Sequence, residues 1–180
     1  MPRGNPVQIN VFINANHAGN QLTHRSHTGI LIYLNWPPII WYSKAQKTVE
    51  SSTFGSEFMA WHIATELIKA LRYKLRMMGI PIEGPANVLA DNDSVVKNST
   101  IPSSTLQPKH NSICYHCVRE AVAATVMQIA FIPSGNNLAD SFTKILGAAK
   151  LKEFSQKVLY WGSNEKILHF NLINDLFLGD

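Results

Sequence analysis

Three short apolar runs open the chain, each bounded by polar or turn-forming residues. Positions 8–13 end in Val11, Phe12 and Ile13 and then break into alternating Asn, Ala and Gly. Positions 28–34 (TGILIYL) and 39–42 (IIWY) are rich in β-branched and aromatic residues and are separated by Trp36, Pro37 and Pro38. Such runs divided by a brief turn predict a hairpin, and the three together predict an antiparallel meander. The period then changes. Over 55–78 the apolar residues Phe58, Met59, Ile63, Leu67, Ile68, Leu71 and Leu75 recur at helical spacing. Ser51, Ser52 and Thr53 offer capping hydroxyls before that helix, and Gly79 followed by Pro81 closes it.

The second half alternates. Residues 87–90 (NVLA) predict a short buried strand ending at Asp91, and 94–98 a short helix. A Pro- and Ser-rich loop covers 99–109, a helix 112–124, a strand 126–132 and a turn 133–137. A last helix is expected to open at 138–146. Three consecutive strands followed by helix-linked strands predict an α/β fold: a five-stranded mixed sheet, antiparallel in its first three strands and parallel in the next two, flanked by helices. The division expected is a domain over 1–146 and a helical C-terminal tail over 147–180, whose apolar residues Trp161, Leu168, Phe170, Leu172, Ile173, Leu176 and Phe177 need burying.

Composition changes this picture little. A chain of 180 residues can bury a real core. The charged fraction of 16% is low, against about 25% in typical domains, and Asn is abundant where acids would be expected. A net charge of +4 fits a polyanionic partner only weakly. Cys114 and Cys117 form a CxxC within a helical pattern; with no second pair to complete a zinc site, they read as two reduced thiols. No secretory signal and no run near the roughly 20 apolar residues of a membrane span is present, so an intracellular setting, cytoplasmic or nuclear, is expected.

The acids fall in a suggestive order. Asp91 ends the fourth strand, Asp140 follows the fifth, and Glu57 lies near the start of the long helix. Ligands gather at strand carboxyl ends in α/β sheets. Carboxylates converging there would hold divalent cations able to activate water and stabilise a leaving oxygen in phosphodiester cleavage. Each acid alone has a plainer reading as a turn former or helix-terminal charge; their combination in this order is what points to chemistry.

The segments THRSHTGILIYLN, PIIWYSKAQKTVESSTFGSEFMA, LADNDSVVKN, KHNSICYHCVREAV and NNLADSFTKIL resemble the ribonuclease H domain of Ty1/copia-type retrotransposon polyproteins. The resemblance covers about residues 7–146. It implies the ribonuclease H fold, degradation of RNA in RNA/DNA hybrids during reverse transcription, two Mg²⁺ (or Mn²⁺) ions, and the reverse transcriptase domain of a parent polyprotein as partner, with no membrane. It carries over Glu57, Asp91 and Asp140 as metal-binding acids. The fourth acid is missing: where the family has a pattern like FVDADHAGD, this chain reads FINANHAGN, and Asn14 stands at the first catalytic Asp. An amide offers one neutral oxygen in place of an anionic pair, so weakened ion binding and impaired catalysis are expected.

Asn16 and Asn20 depart from the pattern in the same way. Asp→Asn requires one G-to-A codon change, and three in seven residues suggest strand-biased mutation of a decaying element; an engineered change at Asn14 alone would not produce them. Three outcomes stay open: a degenerate fragment, a nucleic-acid-binding module without catalysis, and an active nuclease in which Asn16 or another ligand completes the site. For hybrid binding the candidate cations are Arg25, His27, Lys44, Lys97, His110 and Arg119, which would make salt-dependent phosphate contacts. The loop IPSGNNLAD contains no His, so no catalytic His is assigned.

Overall fold

The computed structural model describes residues 4–101 and 112–159. Its elements are β1 (Ile9–Asn16), β2 (His27–Leu34), β3 (Pro38–Ala45), α1 (Thr53–Met77), β4 (Ala86–Ala90), α2 (Asp93–Thr100), α3 (Ser112–Ala123), β5 (Met127–Phe131) and α4 (Ala148–Val158), with two 3-10 segments, Ser134–Asn136 and Leu138–Phe142, between β5 and α4. The strands form one sheet in the order β3-β2-β1-β4-β5. β1–β2 and β2–β3 are antiparallel, while β1–β4 and β4–β5 are parallel. This is the mixed five-stranded α/β sheet that the hydrophobic pattern predicts. His110, Lys109 and the apolar tail positions from Trp161 onward lie outside the described residues.

Each face of the sheet carries its own core, and β1 shows how strand alternation divides them. Ile9, Val11 and Ile13 pack with Phe58, Trp61, Ala64 and Ile68 of α1 and Tyr115 and Val118 of α3. Phe12 points the other way and joins Leu31, Tyr33, Leu89, Leu138 and Phe154 under α4. Asn10, Asn14 and Asn16 share the parity of Phe12 and so face that second side. Phe154 places α4, which falls in the stretch assigned to the tail, inside the same core as the strands.

Local details differ from the sequence expectation: β3 spans Pro38–Ala45 in place of 39–42, and three further differences stand out. β1 runs on to Asn16, because its backbone stays paired with β2 through Asn14–Gly29 and Asn16–His27; the Asn residues at 14 and 16 therefore belong to the strand. The expected helix over 138–146 is instead a single 3-10 turn through Leu138–Phe142, with α4 starting only at Ala148 after Gly147. α2 extends through Ser99 and Thr100 into the expected loop. The long helix is as predicted: Ser52 caps it by accepting the Gly55 N–H at 3.1 Å, and Gly79, at φ +73°, turns the chain out after Met78. Among the described residues no helix is long and apolar enough to cross a membrane.

Candidate active site

Parallel pairing puts the carboxyl ends of β1 and β4 on one edge of the sheet, together with the start of β2 and the end of β3. Asn14 lies near that end of β1, Asp91 directly after β4, Glu57 in the first turns of α1 and Asp140 in the second 3-10 segment. The four sequence-predicted positions meet here. Asn14 and Asp140 are linked directly: the Asn14 Nδ2 donates to Asp140 Oδ1 at 2.5 Å and to Thr143 Oγ1 at 2.6 Å, and all three residues are buried. Lys144 Nζ reaches the same Asp140 oxygen at 2.8 Å.

Glu57 is 4% exposed, and its Oε2 has no hydrogen-bond partner. Burial, first, and the negative charge of Asp91 push its carboxyl up from 4.5 to about 8, with a further push from Asp140; Lys144 and the Ala15 N–H, which donates to it, oppose the rise. A carboxylate so destabilised is one that a cation would stabilise. Glu57, Asp91 and Asp140 are hard oxygen donors of the kind Mg²⁺ takes, and the orphaned Glu57 oxygen gives such an ion an unsatisfied ligand. The fit is complete on that side only. On the other, Asp140 Oδ1 already accepts from an amide and an ammonium.

Several residues that build the site were not singled out from sequence. Asn137, fully buried, is the central one: its Nδ2 donates to Ile13 O at 2.9 Å and to Asp91 Oδ1 at 3.2 Å, while its Oδ1 accepts the Ala139 N–H. One amide thus ties β1, Asp91 and the Asp140 turn together. Its signal was its position, an Asx residue just before a helical turn. Lys144 stands four residues after Asp140, a spacing that favours ion pairs. Gly29 lets the Asp140 turn approach β2: a Cβ there would lie 2.7 Å from Ala139 O and 2.7 Å from Thr143 Cγ2. Ser43 Oγ anchors the same turn by donating to Phe142 O at 2.7 Å.

Asn16 and Asn20 do not join the acids. Asn16 donates to Thr143 O at 3.2 Å, and Asn20 Oδ1 accepts the Leu22 and Thr23 N–H groups in the β1–β2 loop. The candidate phosphate-binding cations divide. Arg25, His27 and Lys44 lie on the β1–β2 loop and the β2–β3 hairpin at the acid edge, with Arg25 and Lys44 exposed and His27 against Ser43 Oγ at 3.0 Å. Lys97 is instead paired with Asp93 at 2.6 Å, and Arg119 hydrogen-bonds the Tyr115 hydroxyl and stacks over its ring.

This order of strands and helices is that of the ribonuclease H fold, and solved ribonuclease H domains share it. One, the LC11 ribonuclease H1 in complex with RNA/DNA hybrid, aligns over 76% of this chain and 94% of its own length with a TM-score of 0.58 and 16% identity. The homologues of this chain are Pol polyproteins of Ty1/copia-type retrotransposons. The retrovirus-related Pol polyprotein from transposon RE2 of Arabidopsis thaliana is 26% identical over 158 residues, 88% of this chain and 11% of the polyprotein. That from transposon TNT 1-94 of Nicotiana tabacum is 30% identical over 144 residues, 78% of this chain and 10% of the polyprotein. The chain thus spans about a tenth of the length of the curated relatives it matches. No protein-family model matches it.

Proposed function

We propose that this ribonuclease H-like domain descends from a nuclease that hydrolysed the RNA strand of RNA/DNA hybrids during reverse transcription, and that its own catalysis is impaired at Asn14. The observation that carries the reading is the pair of cationic or N–H donors on Asp140 Oδ1, from Asn14 at 2.5 Å and Lys144 at 2.8 Å. An Asp at position 14 would set two carboxylates against each other at that distance, which only a proton or a cation could reconcile. The amide removes the conflict and, with it, the demand for a cation. The edge is satisfied without metal on the Asn14 side and left hungry for it on the Glu57 side.

Glu57, Asp91 and Asp140 would hold the remaining divalent cation, Mg²⁺ or Mn²⁺, which when bound would activate water and stabilise the leaving oxygen. Around it Asn137 holds Asp91 in position, and burial of Glu57 keeps bulk water from one side of the edge. Arg25, His27 and Lys44 supply the cationic surface on which a hybrid's phosphates would rest, with affinity falling as salt rises. A parent reverse transcriptase is the partner this reading implies, given the polyprotein relatives. That hybrid is the ligand is supported by the LC11 enzyme of the same fold, whose structure contains one.

The test is cleavage of a labelled RNA/DNA hybrid in Mg²⁺ and in Mn²⁺ by this chain and by Asn14→Asp. Cleavage confined to the Asn14→Asp protein is the expected result. Efficient cleavage by the unaltered chain would overturn the impairment.

A further inference from the structure

A second cluster of metal-ligating side chains lies away from the acid edge, between α1 and α3. His62 and Glu66 stand one helical turn apart on α1, and Cys117 reaches toward them from α3. One ligand atom from each lies within 4.8 Å of the other two. From Glu57 to Glu66 is nine residues, about 14 Å along the helix axis, so the cluster is separate from the carboxylates described above. We propose that His62, Glu66 and Cys117 form a binding site for a zinc-class cation, Zn²⁺ or Co²⁺, that ties α1 to α3.

Three observations favour a built site over a chance grouping. The donors are one imidazole, one carboxylate and one thiol, the set that Zn²⁺ accepts and Mg²⁺ does not. The i, i+4 spacing fixes two of them on one helix face, and the α1–α3 core packing of Phe58 against Tyr115, ring centroids 5.6 Å apart, fixes the third. Finally, His62 Nδ1 is buried with no hydrogen-bond partner. A ring nitrogen in that state normally finds a partner.

Tetrahedral zinc with bonds of about 2.0–2.3 Å puts its donor atoms roughly 3.3–3.8 Å apart. Cys117 Sγ and Glu66 Oε1 already lie 3.6 Å apart, and with His62 within 4.8 Å of both at most about 1 Å of closure remains, within reach of side-chain rotation. Water would fill the fourth position. Cys117 is a free thiol whose ionisation burial pushes up; on binding, its proton leaves to solvent as the metal–sulfur bond forms. Lys69 holds the place meanwhile. Its Nζ lies 3.2 Å from Glu66 Oε1 and 3.7 Å from Cys117 Sγ, bridging the two donors as a cation would. It is the competitor that a metal must displace.

Co²⁺ titration of the full chain, freed of metal with a chelator, tests this directly. A thiolate-to-cobalt charge-transfer band with strong tetrahedral d–d absorption is expected, and Zn²⁺ should abolish it. The acid edge contains no sulfur, so that band cannot arise there. Cys117→Ser should remove the band while Cys114→Ser and Asp91→Asn retain it. His62→Ala should weaken binding by at least the 10–100-fold that loss of a mere outer partner costs. Lys69→Met should tighten it. No band in the unaltered chain, a band that follows Cys114 in place of Cys117, or weaker binding by the Lys69→Met protein would each overturn the proposal. Circular dichroism of each variant excludes misfolding as the cause of a lost band.

Discussion

Two clusters of buried amides lie on the same face of the sheet, at opposite ends of β1. At the amino end Asn87 Nδ2 donates to Asn10 Oδ1 at 2.8 Å, and Gln128 Nε2 donates to Asn87 Oδ1 at 2.7 Å. This row crosses β1, β4 and β5, is neutral, and ends at Gln8, whose Oε1 accepts from Asn10 Nδ2 at 3.4 Å. At the carboxyl end Asn14 donates to an acid that also receives a lysine, beside a Glu whose ionisation burial opposes. The residue type is the same and the consequence is not. An amide among amides is a cross-strand tie; an amide among carboxylates occupies a place where charge was expected to bind a cation. Abundance of Asn in the sequence therefore carries little meaning until the neighbours of each one are known.

The largest effect expected from breaking this contrast is at Asn14. Asn14→Asp restores the anionic oxygen, and hybrid cleavage in Mg²⁺ should rise by on the order of 10²–10³-fold, the size of one well-placed electrostatic group. In chelator the same substitution should lower the melting temperature, since it replaces two donated hydrogen bonds with a repulsion, and Mg²⁺ should restore it. Asn10→Asp, at the other end of the strand, should be destabilising with and without Mg²⁺. If both substitutions respond to Mg²⁺ alike, the two ends are not chemically distinct and the reading fails.

Acid–base behaviour separates the ends next. The fold raises the Glu57 carboxyl to about 8 from its ordinary 4.5, so the folded state favours its protonated form. That contribution is fully present below the ordinary value and is lost as pH rises through about 8. In chelator, unfolding free energy should fall by a few kcal/mol over that window, and Glu57→Gln should flatten the slope. Asn87→Ala should leave the slope unchanged, because the amide row has nothing to titrate. An identical slope in the Glu57→Gln protein would assign the pH dependence elsewhere.

Asn87→Ala itself should cost about 1–3 kcal/mol, the penalty for leaving the buried Asn10 oxygen and the Gln128 amide unpaired. Chemical denaturation measures it. The gain in cleavage conferred by Asn14→Asp should survive in the double variant, since the two ends share no partner. Loss of that gain would mean that the amide row positions the acids as well as joining strands.

How far the sequence reveals these two ends depends on the range of the interactions. Strands, the long helix and the mixed sheet were readable because periodicity and capping are local: Ser52, Gly79 and the alternation along β1 act within a few residues. The resemblance brought Glu57, Asp91 and Asp140 forward because each sits in a contiguous motif. Asn137 and Gly29 were not visible. Asn137 matters through a bond to Ile13 O 124 residues away and another to Asp91 46 residues away, and Gly29 through a turn more than a hundred residues later in the chain. The sequence predicts a helix at the 3-10 turn of Asp140 for a related reason. Its apolar spacing is helical, but contact with β2 and the Asn137 cap fix a tighter turn that ends at Phe142.

Lys144 offers the smallest and most discriminating change. Its side chain is 42% exposed and that of Asp140 4%; water can take the place of the ammonium and Asn14 still donates to the carboxylate, so the pair contributes on the order of 1 kcal/mol to folding. Lys144→Met should therefore alter the melting temperature in chelator very little. Its effect should appear in cation binding: without the ammonium, Asp140 Oδ1 regains negative potential, and the Mg²⁺-induced rise in melting temperature should reach half its maximum at a lower Mg²⁺ concentration. The shift should be larger in Asn14→Asp, where the carboxylate pair meets no competing amide, than in the unaltered chain. Equal Mg²⁺ response with and without Lys144 would mean that the lysine merely rests at the rim. Asn14 alone would then account for the difference between the two ends of β1.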